Sequence, residues 1–424
     1  MSGEGAPTGV QRWITVFNGA RDGYQLPIAL HEAGRLEALV TDWYSPLDRP
    51  PAGRLAGWLP RRITGLLQRR FAAALPSHRV RSRPLEAMRV AARLGSMEGL
   101  DARLGRYAGR LARERGAGLI AYNYYAHSAF AAYRQATPGR QLLFQVQAHP
   151  DACRTALAEE MARADSGSRA LAREPEMGGS ARRIEELRQV PHLADRCIVP
   201  STYARSTLVD AGIDPARIDV VPYGVDLGRF RPPTSVTARP FRVLFVGQLT
   251  RRKGLAYLLE AWRRLSLPHA ELLLVGRGLV DEALLAQHAG ECRIVMNVHS
   301  RDRMRELYQD SDLFCMPSLI ESFGLVYLEA MACGTPVIGT SSTGAPDVVV
   351  EGRSGFIVPI RSVDALVERI GWCYEHRDAT AAMRARARAA AERFPWSAFR
   401  SRIGEIAARA ASDGSLPLGA SVPA

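Results

Sequence analysis

The chain alternates short apolar runs with longer stretches in which apolar residues recur at helical spacing. Runs rich in Val, Ile and Leu that are separated by amphipathic stretches predict strands of parallel sheets buried on both faces. The first set lies at 12–17, 38–42, 118–122, 142–148, 196–199 and 218–222, and the second at 241–247, 271–276, 293–298, 312–316, 335–339 and 356–358. We therefore expect two doubly wound, Rossmann-like α/β domains with a ligand-binding cleft between them.

The two sets are separated by residues 231–240, a segment rich in proline and short polar residues that predicts a linker. We expect a first domain over 1–234 and a second over 235–393. Residues 394–411 predict a final helix that crosses back to the first domain, and 412–424 are expected to form a flexible tail.

Two stretches, 58–75 and 159–183, depart from the regular alternation. Residues 58–75 place apolar side chains on one helical face and arginines mostly on the other, which predicts a basic amphipathic helix. This helix would either rest on a membrane surface or pack on its own domain. Residues 159–183 are polar, with glycine and serine, and predict a mobile loop. The Gly-Arg-Gly of 276–278 predicts a glycine turn at the end of a strand. It does not indicate dinucleotide binding, because the third glycine of that fingerprint is missing.

The positive charge of the chain is concentrated in one interval. The net charge is +13, and between residues 49 and 115 there are 16 arginines against four acidic residues. This interval would meet an anionic lipid, an anionic ligand or a nucleic acid, or would be an ordinary solvated surface. Its few aromatic residues argue against base stacking, and we expect no nucleic-acid partner.

Several features bear on the compartment. No apolar run reaches the about 18 residues that span a bilayer, and the first residues lack the pattern of a signal peptide. The six cysteines lie far apart and form no CxxC pair, as in proteins of a reducing compartment. We expect a cytoplasmic protein, peripheral on the inner membrane face if the basic interval binds lipid.

Two glutamates, Glu321 and Glu329, flank the start of a predicted helix that follows the strand at 312–316. Gly324 allows close approach of a ligand, and the first amides of the helix suit an anion such as a phosphate. Glu329 lies among apolar residues and needs hydrogen-bond donors, which sugar hydroxyls would supply. The structural alternative is an acid that favours the helix dipole beside one ion pair.

Three cations, Arg251, Arg252 and Lys253, stand where a helix begins after the strand at 241–247. Cations at a helix N-terminus oppose its dipole, so a bound polyanion would explain them, and a solvated loop is the alternative.

The first half of the chain offers a glycine loop and a histidine. Gly19 and Gly23 lie between the first strand and the first helix, where a ligand would approach the backbone unless the loop is an ordinary turn. His149 follows the strand at 142–148 and is expected to face the cleft.

These segments resemble those of the retaining nucleotide-sugar glycosyltransferases of family 4, which have the two-domain GT-B fold. The resemblance rests on the paired glutamates with Ser-Phe-Gly between them, on the Arg-Lys-Gly of 252–254, and on VPYGVDLGRF at 221–230. It is strong over residues 190–370 and weak in the first half of the chain.

The resemblance implies an acceptor side in the first domain and donor binding in the second. It implies that Lys253 contacts the diphosphate of the donor, that Glu329 binds ribose hydroxyls, and that Glu321 and His149 lie near the transferred sugar. The other residues expected at the donor are Gln248, Arg251, Arg252, Ser322, Phe323, Gly324 and Leu325, and Gly19 and Gly23 are expected to form an acceptor or phosphate loop. Gln248 departs from the family, which usually has an arginine there, so Arg251 or Arg252 would have to replace that charge.

We therefore expect a retaining hexosyltransferase that uses a nucleotide diphosphate sugar as co-substrate and a glycan or lipid-linked acceptor, in the assembly of a surface polysaccharide or glycolipid. No spacing typical of a metal site is present, and no metal or other cofactor is expected. One alternative is a soluble transferase that makes a small glycoside or sugar phosphate. Another is a non-catalytic binding protein.

Overall fold

The computed structural model describes residues 10–48, 61–133, 140–164, 168–235 and 239–412. The first unit contains the strands β1 (Trp13–Val16), β2 (Leu36–Thr41), β3 (Val80–Ser82), β4 (Gly118–Tyr122), β5 (Gln141–Phe144), β6 (Arg196–Val199) and β7 (Ile218–Val220). Its helices are α1 (Gln25–Glu32), α2 (Arg61–Gln68), α3 (Pro84–Ala91), α4 (Met97–Glu114), α5 (Asn123–Tyr133), α6 (Pro150–Arg163), α7 (Arg169–Ala172), α8 (Pro175–Gly178), α9 (Ala181–Leu193) and α10 (Thr202–Asp210).

The second unit begins after the linker segment. Its strands are β8 (Phe241–Leu249), β9 (Ala270–Val280), β10 (Arg293–Met296), β11 (Leu313–Cys315), β12 (Val337–Thr340) and β13 (Gly355–Val358). Its helices are α11 (Leu255–Leu265), α12 (Glu282–Gln287), α13 (Arg301–Gln309), α14 (Leu325–Ala332), α15 (Ala345–Val348), α16 (Val363–Glu375) and α17 (Arg377–Ala391), and the last helix is α18 (Trp396–Ser412).

Each unit is built around one parallel sheet. The strand orders are β3-β2-β1-β4-β5-β6-β7 and β10-β9-β8-β11-β12-β13. The order reverses between β1 and β4 and between β8 and β11, so a crevice opens at the carboxyl ends of these strands. The loop after β11 contacts the first unit, because Ser322 Oγ donates to the carbonyl of Val146, after β5, at 2.5 Å.

The predicted doubly wound fold is confirmed, since each of the twelve apolar runs overlaps a strand of these sheets. Strand β3 was not predicted, because its residues are half-buried or exposed at a sheet edge and form no apolar run. The turn predicted at 276–278 was wrong, because β9 continues to Val280, which pairs with Leu249. A side chain at Gly276 would lie 2.3 Å from the sulfur of Met296, so close packing explains this glycine.

Buried charged side chains also connect the first unit to the second. The guanidinium of Arg252 donates to Glu174 at 3.0 Å and to Glu176 at 2.7 Å, and all three residues are buried. Nearby, Ser168 donates to Asp281 at 2.7 Å. The stretch 159–183, predicted to be a mobile loop, is therefore helical and anchored in its described part, and 165–167 lie outside the described residues.

The final helix, α18, packs on the first unit. The indole of Trp13 in β1 donates to the carbonyl of Ala407 at 3.2 Å, and Arg400 pairs with Glu32 of α1 at 2.8 Å. Of the tail predicted at 412–424, residues 413–424 lie outside the described part of the chain.

The predicted basic helix at 58–75 corresponds to α2 over 61–68, and residues 58–60 lie outside the described part. Its side chains Ile63 and Leu66 are exposed to solvent. No helix within the described ranges has the length and apolar character needed to cross a membrane.

Replacing Arg252 with leucine would test the contact between the units. The change leaves Glu174 and Glu176 buried without their cation, and we expect the free energy of unfolding to fall by roughly 3–5 kcal/mol. Urea denaturation measures the change. The control is Arg264→Leu, whose partners Glu260 and Asp364 are exposed, and which should change stability by less than about 1 kcal/mol. Equal effects of the two variants would contradict an anchoring role for Arg252.

Candidate active site

A lysine and a glutamate meet at the carboxyl ends of β8 and β11. Lys253 closes a 3-10 turn directly after β8, and Glu321 lies in the loop after β11. Lys253 Nζ donates to Glu321 Oε2, and both side chains are mostly shielded from solvent. Burial by itself raises the pKa of Glu321, but the charges of Lys253 and then Arg252 outweigh it and hold that pKa below its ordinary value. The carboxyl group of Glu321 is therefore ionised at neutral pH.

Gly254 allows the two loops to pack together. Its φ is 72°, a left-handed conformation, and a Cβ built on it would lie 1.8 Å from the carbonyl oxygen of Pro317. The amide of Leu319 donates to the carbonyl of Arg252 at 2.9 Å across the same contact. Only glycine satisfies both the backbone angle and the close approach, so Lys253 is held beside the loop of Glu321.

The residue type of Lys253 is also unusual in this chain, a property that the predictions from sequence did not use. It is the only lysine in the chain, and the other 55 of the 56 basic Lys and Arg residues are arginines. A lysine ammonium is a compact charge on a flexible stem, whereas a guanidinium is a planar fork. A lone lysine in an arginine-biased chain indicates that this position needs the ammonium.

The N-terminus of α14 faces the same space. Gly324 precedes the helix with φ 86° and ψ 73°, and no side chain caps the first amides. Phe323, Gly324, Leu325 and Val326 line a cavity of about 250 Å³ together with Lys253 and Glu321. Unpaired amides carry partial positive charge, so this cavity combines an ammonium with a helix N-terminus and suits an anion.

Glu329 lies one turn further along α14 and lines an adjoining cavity of about 550 Å³. The hydroxyl of Tyr308 donates to Glu329 Oε2 at 3.0 Å. Burial raises the pKa of Glu329 to about 7, although Tyr308 and the charge of Arg301 act in the opposite direction. Arg301, the first residue of α13, lines the same cavity and was missed by the sequence reading.

The predicted glycine loop contributes charged residues that the sequence reading also missed. Arg21 and Asp22 lie between Gly19 and Gly23 and line the smaller cavity opposite Lys253. Asp22 and Gly23 also line the larger cavity, whereas the amide of Gly19 donates to Asp42 at 2.9 Å, outside both cavity linings. The sequence signal was an adjacent cation and anion inside a strand-to-helix turn that is otherwise uncharged.

Two of the expected donor arginines are engaged with protein carboxylates. Arg252 holds Glu174 and Glu176, as described above, and Arg251 lies 3.6 Å from Asp281 and 3.9 Å from Glu160. Neither arginine, nor Gln248, is among the residues that line the two cavities. Their expected contacts with a donor stay predictions.

The structure does not bring His149 to the Lys253–Glu321 pair. His149 caps α6, where its Nδ1 accepts from the amide of Asp151 at 3.3 Å, and it lines a separate cavity of about 390 Å³ with Tyr203. Burial lowers its pKa, so the ring is neutral at pH 7. Its expected place near a transferred sugar stays a prediction.

Two family models match the chain in succession. Residues 71–229 match the model described as Glycosyltransferase Family 4, and residues 229–391 match the model described as Glycosyl transferases group 1. The matches meet at residue 229, close to the linker between the two units. Together they support a glycosyltransferase with two domains.

Relatives also support a glycosyltransferase, and solved structures support the two-domain fold. The chain is 36% identical over 201 residues to a D-inositol 3-phosphate glycosyltransferase of Mycobacteroides abscessus, a match that covers 43% of this chain and 45% of that protein. The chain thus spans about half the length of the relatives it matches. Among solved structures, a sucrose-phosphate synthase from Thermosynechococcus elongatus has a TM-score of 0.67 at 20% identity over 93% of this chain and 98% of its own.

A second solved structure is the Anabaena protein HepE in complex with UDP-glucose. It has a TM-score of 0.60 at 19% identity, over 93% of this chain and 98% of its own. At such identities the likeness establishes the fold, and the GT-B fold expected from the resemblance is confirmed.

The pKa of Glu329 leads to an expected pH dependence. Ribose hydroxyls donate more strongly to a carboxylate than to a neutral carboxyl group, and Glu329 is half-protonated near pH 7 in the free protein. We expect the affinity for UDP, GDP or ADP to fall by about tenfold from pH 8 to pH 6, as measured by calorimetry.

The control for this measurement is Glu329→Gln. The nucleotide phosphates titrate in the same range and affect both proteins equally, so the difference between the two profiles reports Glu329 alone. Parallel profiles for the wild type and Glu329→Gln would contradict a contact between this carboxylate and the ribose.

Proposed function

We propose that this chain, which matches two glycosyltransferase family models in succession, transfers a hexose from a nucleotide diphosphate sugar to a hydroxylated acceptor with retention of anomeric configuration. The observation that carries the proposal is the cavity at the N-terminus of α14, where the only lysine of the chain and uncapped amides surround a space beside Glu321. Such an arrangement suits a diphosphate beside a sugar.

The residues that line the two cavities would bind different parts of the donor. Lys253 and the amides of Leu325 and Val326 would bind the diphosphate, and Glu321 would bind a hydroxyl of the sugar. Glu329 would bind the ribose in the adjoining cavity, where Tyr308 already orients its carboxylate. Arg21 lines the smaller cavity from the other domain and would add a second cation opposite Lys253.

The reaction breaks the bond between the anomeric carbon and the phosphate oxygen, and the electron pair of that bond stays on the diphosphate. Lys253 and the helix amides stabilise the charge that develops there, so no metal is required in the proposal. The acceptor oxygen bonds to the same face of the anomeric carbon, and its proton passes to the departing phosphate oxygen. Closure of the two domains would exclude water, which competes as an acceptor.

A small polyol phosphate is the first candidate for the acceptor. The relatives that match about half of this chain are named D-inositol 3-phosphate glycosyltransferases, which supports the soluble small-glycoside alternative. An inositol phosphate combines the hydroxyl groups that a transferase needs with an anion that Arg21 or Arg301 would attract.

A lipid-linked acceptor is the second candidate, and a surface of the first domain favours it. Helix α3 has no buried residue, and Leu85, Met88 and Leu94 are 74%, 62% and 74% exposed. Arg89 and Arg93 are exposed on the same segment. We name residues 85–94 the α3 face. Exposed apolar side chains beside arginines are complementary to an anionic lipid surface, which the assembly of a glycolipid or polysaccharide at the inner membrane would use.

Nucleotide binding tests the proposed donor site. A ligand that binds only the folded state raises the melting temperature, so we expect UDP, GDP or ADP and its sugars to stabilise the wild type. Glu329→Ala should reduce the shift. Lys253→Met should weaken diphosphate binding by about 10- to 100-fold through loss of a charged hydrogen bond, and Lys253→Arg should not restore it.

The single lysine provides an independent readout. An amine-reactive reagent can modify only Lys253 and the N-terminus, and a bound nucleoside diphosphate should protect Lys253 while the N-terminus reacts at an unchanged rate. Mass spectrometry distinguishes the two positions. No stabilisation and no protection by any nucleotide would contradict the proposed function.

Flotation with lipid vesicles tests the second candidate acceptor. We expect the wild type to float with phosphatidylglycerol vesicles and not with phosphatidylcholine vesicles. Arg89→Glu with Arg93→Glu should abolish flotation, because each basic residue near an anionic surface contributes about 1 kcal/mol. The matched control reverses Arg263 and Arg264 on the other domain. Indifference of the wild type to anionic lipid would exclude a membrane role for the α3 face.

A further inference from the structure

The loop between β1 and α1 has a strained backbone next to the proposed donor site. Three consecutive residues, Asp22, Gly23 and Tyr24, have φ values of 51°, 60° and 65°. Glycine adopts this left-handed conformation freely, but aspartate and tyrosine do so at a cost in free energy. A strained backbone of this kind persists only where neighbouring residues hold it in place, and it is found mostly at functional sites.

The surroundings hold this loop at both ends. Before the turn, the amide of Asn18 donates to the hydroxyl of Tyr125 at 3.0 Å, and Asp42 accepts from the amide of Gly19 at 2.9 Å. After the turn, the ring of Tyr24 is buried. The strained residues therefore occupy a fixed position in the cleft.

This backbone presents the carboxylate of Asp22 to the junction of the two cavities. Asp22 is one of two residues, with Leu325, that line both the cavity of Lys253 and the cavity of Glu329. The hydroxyl of Tyr122 lies 3.4 Å from Asp22 Oδ2, and Tyr223 also donates to Asp22. Burial raises the pKa of Asp22 to about 6, although Arg21 and both tyrosines act against that rise.

Three of the four carboxylates that line the two cavities, Asp22, Glu321 and Glu329, differ in what already binds them. Glu321 accepts from Lys253, and Glu329 accepts from Tyr308 in the part of the site proposed for the ribose. A carboxylate has about four lone-pair positions, so the two tyrosine hydroxyls leave Asp22 able to accept further hydrogen bonds. Most other polar groups of the smaller cavity are donors, namely Arg21, Lys253 and the amides of α14.

An attacking hydroxyl needs an acceptor for its hydrogen so that its lone pair faces the anomeric carbon. We propose that the carboxylate of Asp22 accepts a hydrogen bond from the attacking hydroxyl of a sugar or polyol acceptor while the acceptor docks, and so fixes its position against the donor. As the bond to the anomeric carbon forms, this hydrogen leaves Asp22 and moves to the departing phosphate oxygen. This inference rests on the proposed function. It assigns the positioning of the acceptor to the first domain. Asp22 is not among the residues proposed above to bind the donor.

The variant Asp22→Asn tests the inference. Asparagine tolerates the left-handed backbone and has nearly the same shape, but its amide nitrogen replaces one oxygen that accepts. Each nucleotide sugar of the panel is incubated with water, glycerol, glucose or D-inositol 3-phosphate, and the consumption of the donor is measured. We expect kcat for any of these hydroxyls to fall by about 100-fold, as when a reacting group is misplaced, while nucleotide-induced stabilisation is unchanged.

Two further variants separate positioning from structure. Asp22→Glu keeps a carboxylate and should recover part of the lost rate. Asp378→Asn changes an exposed carboxylate of α17 that lines neither cavity and should leave the rate within about threefold of the wild type. The melting temperatures of the unliganded variants check that each has folded.

The outcomes distinguish the inference from the function on which it rests. Turnover by Asp22→Asn within threefold of the wild type overturns the inference alone, and so does a loss of nucleotide-induced stabilisation together with the rate. A wild type that neither binds nor consumes any nucleotide sugar overturns the proposed function. A wild type that binds nucleotides but consumes no donor with any of these hydroxyls overturns the inference and the small polyol phosphate as the acceptor, while the donor site of the proposed function stands.

Discussion

The architecture of the cleft depends on one buried guanidinium. Arg252 is held by Glu174 and Glu176 of the other domain, and its carbonyl accepts from Leu319 in the loop that carries Glu321. A buried cation without carboxylates is costly, so this contact stabilises the docked arrangement of the two domains. Because Lys253 is the next residue in the chain, the interaction that joins the domains also positions the ammonium proposed to bind the diphosphate.

The carboxylates of the cleft have distinct proton affinities because their partners differ. Lys253 holds the pKa of Glu321 below its ordinary value, whereas burial raises the pKa of Glu329 to about 7 and that of Asp22 to about 6. At neutral pH the first is a fixed charge, and the other two lie near their titration points. Titratable groups with well-separated pKa values in one cleft are typical of sites in which some residues take part in the chemistry and others bind the ligand.

Much of the fold could be predicted from sequence, because strands buried on both faces appear as continuous apolar runs. Strand β3 could not be predicted in this way, because it lies at the edge of its sheet and has no such run. The proximity of Lys253 and Glu321 was predictable from strand ends alone. The partners of Arg252 were not, since Glu174 and Glu176 lie more than seventy residues away in a polar stretch whose composition indicated a loop. The roles of Arg21 and Asp22 were hidden because backbone strain and a shared cavity are properties of three-dimensional structure.

The packing of α18 has a consequence for biosynthesis. Strand β1 lies inside the first sheet, between β2 and β4, and begins with Trp13. The indole of Trp13 donates to the carbonyl of Ala407, which lies 394 residues later in the chain. The first domain is therefore discontinuous in sequence, and a ribosome that has released residues 1–234 has not yet supplied one of its helices. Folding from the N-terminus must wait for the whole second domain to be translated before Trp13 finds its partner. The nascent first domain would meanwhile expose the apolar surface that α18 later covers.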